Sequence, residues 1–144
     1  MKITLLITMW TCPKCDRPFK HKNQWHSCVK VNPDILFERQ NPVIIKIYQR
    51  ILNEVTRFGN DIAITASKYA VFAKAPGTFL ALKPKKDFLA IEFLLSEEVN
   101  EFPIEKTFRI SKNRVAHFLR LDDPVQIDTQ LLNWLKAAYH TVSR

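Results

Sequence analysis

The chain has 144 residues, 47% hydrophobic and 25% charged, enough for one buried core with a small appendage. Its two glycines exclude the Gly-rich loops that cradle phosphates and dinucleotides, and the composition excludes collagen-like or low-complexity disorder. The formal net charge of +8 is uneven: residues 1–33 hold six basic side chains and one acid, residues 34–144 sixteen and thirteen.

In chain order, Ile3-Thr4-Leu5-Leu6-Ile7 is an apolar run too short to span a bilayer, and no small-residue cleavage site precedes Cys12. It reads as a strand or an unstructured leader of a cytoplasmic protein with no membrane partner. The three cysteines, Cys12, Cys15 and Cys28, are clustered and odd in number. That is a poor disulfide framework, and it suits thiolate metal ligation in a reducing compartment.

Residues 10–33 carry the most specific chemistry. Cys12-Pro13-Lys14-Cys15 is a chelating spacing, and Cys28 offers a third thiolate to a tetrahedral zinc ion. The twelve residues between Cys15 and Cys28, with Phe19 four after Cys15, match the start of a ββα zinc finger. That finger needs a ligand where Asn32, Pro33 and Asp34 stand, so its pattern fails there. The set expected is Cys12, Cys15, His26 and Cys28, with His21 in reserve. Residues two apart diverge on a regular helix, so His26 and Cys28 require an extended or irregular backbone. Four protein ligands leave no position for a catalytic water, which makes the zinc structural, the staple of a segment too polar to fold alone. No βαβ pattern surrounds the pair to suggest a redox dithiol.

Asn32-Pro33-Asp34 reads as a hinge, dividing a zinc-knuckle-like module at 1–33 from an α+β domain at 34–144. Asn41-Pro42 starts a helix whose apolar face holds Ile44, Ile47, Tyr48, Ile51, Val55 and Phe58, with Gly59-Asn60 as its stop. Period-two runs follow around Ile62–Ala66, Tyr69–Lys74, Phe79–Leu82, Phe88–Leu95, Thr107–Ile110 and Val115–Leu121. Short turns join them, which favours an antiparallel sheet of about five strands with Phe88–Leu95 central. Asp123-Pro124-Val125-Gln126 caps a last amphipathic helix carrying Leu131, Leu132, Leu135, Ala138, Tyr139 and Val142. The fold class is α+β, two helices flanking the sheet.

The segments Trp10–Cys15 and Gln24–Cys28, the helix ending at Gly59, the strand Ser67–Ala73 and the Ala138-Tyr139 helix together resemble an uncharacterised bacterial domain-of-unknown-function family that opens with this Cys/Trp/His segment. The resemblance spans nearly the whole chain. It implies the fold and the metal, and no activity.

The residues themselves give no catalytic set. Glu92 has Leu94 where a metal-dependent nuclease would place its lysine, and no serine has a triad. His117 reads as a half-buried sheet residue, and Lys83, Lys85, Lys86 and Phe88 as a solvated hairpin tip. The function expected is a non-enzymatic zinc-binding protein that binds nucleic acid, with Lys14, Arg17, Lys20, Lys22 and Lys30 on phosphates. Trp10 and Trp25 are expected to pack over the knuckle. One alternative is a protein-interaction module or subunit of a larger assembly. Another is a small-molecule-binding or enzymatic domain whose pocket Tyr48, Tyr69, Phe72, His117 and Tyr139 would line.

Overall fold

The computed structural model describes residues 10–13, 18–19, 21–23, 25 and 32–143, and divides the chain into two units, 1–30 and 31–144. In the first unit, β1 (Trp10–Thr11) pairs antiparallel with β2 (Pro18–Phe19), Trp10 opposite Phe19. Their rings lie 6.0 Å apart between centroids.

The second unit opens with a short helix, α1 (Pro33–Phe37). The Asn32-Pro33-Asp34 break is therefore a helix start: the Asn32 side chain accepts the Asp34 N–H at 2.9 Å, and Pro33 has no N–H to leave unpaired. Asn41 caps α2 (Pro42–Val55) in the same way. Its predicted stripe Ile44, Ile47, Tyr48, Ile51 and Val55 is buried. At roughly 1.5–3 kcal/mol per fully buried apolar side chain, this face outweighs the tenths of a kcal/mol that β-branched residues lose in a helix. Tyr48 stacks on Phe37 at 3.7 Å, tying α1 to α2.

Six strands follow: β3 (Ala63–Ala66), β4 (Val71–Lys74), β5 (Thr78–Pro84), β6 (Leu89–Leu95), β7 (Lys106–Ser111) and β8 (Arg114–Leu121). They form one antiparallel sheet in the order β3-β4-β5-β6-β8-β7. The sheet has one strand more than the approximate count expected, and a third helix, α1, joins the two flanking ones. The four-residue edge strand β3 is held by its register with β4 rather than by a long apolar run.

Asp123, Pro124 and Gln126 do form the predicted capping box, but on a single 3-10 turn, Pro124–Gln126. The last helix, α3 (Thr129–Val142), starts afresh, with Asp128 accepting the Leu131 N–H at 2.9 Å. Helices α2 and α3 both lie on one face of the sheet, α3 over β5 and β6 and α2 against β6 and α3. Between them Leu80, Leu82, Leu89, Ile91, Phe93, Leu119 and Leu121 are buried with the helices' apolar stripes.

Gly59 does not end α2 through a left-handed backbone, because no glycine has positive φ; the helix closes at Thr56 instead. Gly59 is needed for close approach. A Cβ there would clash with the Tyr139 hydroxyl and stand 2.8 Å from Tyr139 Cζ. That hydroxyl donates to Asp61 Oδ1 at 2.7 Å, fixing the ring in place and raising its pKa. Gly59→Ala should cost about 1–3 kcal/mol in chemical denaturation, and adding Tyr139→Phe should recover part of that loss.

Candidate nucleic-acid interface

Of the four expected zinc ligands, only Cys12 is among the described residues. It follows β1 directly and is buried, 3% exposed. Cys12 thus begins the Cys-x-x-Cys spacing one residue past a strand paired with β2. Cys15, His26 and Cys28 lie outside the described residues, as do Lys14, Arg17, Lys20 and Lys30. Among the described residues no group of three or more His, Cys, Asp and Glu is placed to hold a metal. Lys22 and the reserve ligand His21 are described, and both are exposed. Trp10 lies against Phe19, whereas Trp25 is 90% exposed and so does not pack as expected.

The pocket imagined for a small molecule does not form, because its residues sit on different faces. Tyr48, on α2, is buried against Phe37 of α1, and burial, helped by Asp34, pushes its pKa up to about 12. Tyr139 lies against Gly59, and Tyr69 is 72% exposed in a turn. Phe72 lies on the side of the sheet away from the helices, since its neighbours Val71 and Ala73 point into the core.

His117 is fully buried rather than half-buried, and it sits on the helix side of β8, stacked on Phe93. Both ring nitrogens are used: Nδ1 donates to the Val115 carbonyl at 3.0 Å, and Nε2 accepts the Val99 N–H at 2.9 Å. This bonding requires the neutral ring, and burial holds its pKa below the ordinary histidine range against the opposing pull of the Val115 carbonyl and Glu98. The imidazole therefore pins the 96–105 loop that carries the chain from β6 to β7. Glu98 braces the same loop, accepting from Asn100 and from Thr107 of β7 at 2.8 and 2.9 Å.

The other face of the sheet is where chemistry gathers. No helix of this unit lies over it among the described residues. Register aligns one row straight across the strands: Thr65, Phe72, Ala81, Glu92, Phe118 and Lys106. Beside it run Lys83, Ala90 and Arg120 on one side and Leu94, Ala116 and Phe108 on the other. The Lys106 ammonium sits 4.8 Å above the Phe118 ring, and the Arg120 guanidinium 5.1 Å above Phe88. Arg120 also bonds Glu105 at 2.7 Å, and Lys83 lies 3.6 Å from Glu92. Small floor residues leave two shallow depressions. One, of about 290 Å³, includes Lys83, Ala90, Glu92, Phe118 and Arg120; the other, of about 160 Å³, includes Ala81, Leu94 and Ile110.

The expected hairpin tip holds for residues 85–88, closed by the Lys85 N–H on the Phe88 carbonyl at 2.9 Å, whereas Lys83 and Pro84 belong to β5 and pair with Ala90 and Leu89. Sequence reasoning missed Lys106, Phe118 and Arg120, which join the tip only because β8 pairs with both β6 and β7. The period-two run Val115–Leu121 identifies the strand but not its partners.

Residues 33–142 match a family described as Domain of unknown function (DUF5655). The chain belongs to this family. The matched stretch is the α+β unit of the DUF5655 domain, from the first residue of α1 to the last of α3; the Cys/Trp/His segment lies before it. No curated protein and no solved structure matches the chain.

Because the folded-state pKa of His117 is depressed, an unfolded chain takes up a proton below about pH 6.5 that the native one resists. Its contribution to stability is present above that pH and lost as pH falls toward the native value. Urea midpoints should fall from pH 8 to pH 5, and His117→Gln should flatten that fall while lowering stability at pH 8 by roughly 1–3 kcal/mol.

Proposed function

We propose that this DUF5655 protein binds nucleic acid. The observation that carries the reading is the open sheet face, where Lys83, Lys106 and Arg120 stand beside Phe72, Phe88 and Phe118. Cations neutralise phosphates and release counterions, and exposed aromatic rings stack on bases. The net charge of +8 and the basic bias of residues 1–33 support it.

In this reading Cys12, Cys15, His26 and Cys28 hold a structural zinc. Lys14, Arg17, Lys20, Lys22 and Lys30 add phosphate contacts from the first unit. Three thiolates and one imidazole saturate a tetrahedral ion, so the metal supplies shape rather than reaction chemistry.

A second reading, a protein-interaction surface, draws on Phe108 and Ile110, which are 65% and 55% exposed on β7. A gel-shift or anisotropy titration separates the two. Protein purified without chelator should carry one zinc per chain and bind a mixed-sequence oligonucleotide, losing affinity steeply between about 50 and 200 mM salt. Affinity that stays constant across that range, or no binding at all, removes the nucleic-acid reading.

A further inference from the structure

We infer that the open sheet face is a site for unpaired nucleotides, with bases lying flat on Phe118 and Phe72 and phosphates on Lys83, Lys106 and Arg120. This rests on the nucleic-acid reading above and adds the class of nucleic acid.

Shape keeps this face from reading the bases of an undistorted duplex. A duplex exposes its base edges only inside grooves, and a major groove about 12 Å wide admits a helix or a two-stranded ribbon. Six strands at about 4.8 Å spacing make a surface roughly 24 Å across. Such a surface cannot enter a groove, but it can receive bases already splayed out of a stack.

The ring positions fit that use. Phe118 and Phe72 share one cross-strand row, three strand steps apart, so about 14 Å separates two stacking platforms on the same face. Both rings are half-buried. A flexible lysine, Lys106, lies over the Phe118 ring face. Between the platforms stand Ala81, which keeps the floor low, and Glu92, which is held toward Lys83 at 3.6 Å; Ala90 and Ala116 keep the flanking rows low.

Charge is available at small cost. The Lys83–Glu92 and Arg120–Glu105 pairs have side chains between 31% and 56% exposed. Such pairs hold together by only about 0–1 kcal/mol, so exchanging a carboxylate for a phosphate costs little. Lys106 is exposed and flexible, so it can swing from the Phe118 ring to a phosphate and leave that face to a base.

The test is fluorescence anisotropy of the full chain with labelled oligo-U and oligo-dT of about twelve nucleotides and with duplex RNA and DNA of that length, a size within the range single-strand sites cover. Single strands should bind at least tenfold more tightly than duplexes at low salt. A preference for oligo-U assigns the site to RNA through the 2′-hydroxyl, and a preference for oligo-dT assigns it to DNA. Phe118→Ala should weaken single-strand binding about tenfold or more while duplex binding holds. Phe118→Trp, which keeps a stacking face, should bind as well as the native chain and guards against a folding defect in the alanine variant. Lys83→Ala and Lys106→Ala should each reduce the salt slope by about one.

Equal affinity for strand and duplex, or a folded Phe118→Ala variant that binds like the native chain, overturns the single-strand site and leaves the broader nucleic-acid reading standing. Loss of binding in Phe118→Trp overturns it as well. No binding to any oligonucleotide overturns both and returns the face to a protein partner.

Discussion

The strict alternation along β6 is the constraint from which the rest of the α+β unit follows. Leu89, Ile91, Phe93 and Leu95 turn to the helices and are buried, while Ala90, Glu92 and Leu94 turn the other way. A slip of one residue would drive Glu92 into the core and expose four large apolar side chains. Register is therefore fixed, and it propagates. Leu80 and Leu82 of β5, then Leu119 and Leu121 of β8, fall on the same face as their β6 partners. With α2 and α3 both on that face, the opposite one keeps its small, aromatic and cationic side chains uncovered by helices of the unit.

His117 is the exception that serves this arrangement. It stands opposite Phe93 on the helix side, a polar ring in an apolar layer. It is tolerated because each nitrogen has a partner, which removes the penalty of burying an unbonded group. The partner on Nε2 is the backbone of the 96–105 loop. That loop takes the chain past β8 to the edge, so that β7 can return beside it. A bond inside the unit thus helps set where Lys106 and Phe108 stand on the outside.

Much of the fold was legible because burial writes itself as period. The stripe of α2 from Ile44 to Val55 and the alternation of β6 needed no tertiary information. What could not be read was pairing across distance. Nothing local says that β7 lies outside β8 rather than beside β6, so the convergence of Lys83, Lys106, Phe118 and Arg120 was invisible. Aromatic residues were also grouped wrongly: Tyr48, His117 and Tyr139 share a polar tip on a ring, yet each tip meets a partner inside the unit or at its rim, at Asp34, Val99 and Asp61. Gly59 looked like a helix stop because glycine often is one; its role depends on Tyr139, eighty residues on.

The sheet divides its side chains into an inward set and an outward set, and the outward set is the one proposed to meet the nucleic acid. Methyl NMR of the labelled full chain, titrated with an unlabelled single strand, reads that division directly. The methyls of Ala81, Ala90, Leu94 and Ala116 should shift progressively, while those of Leu82, Leu89, Leu119 and Leu135 stay close to their starting positions. Shifts confined to the inward set and the helices, or an outward set that does not move while the strand binds, would contradict it.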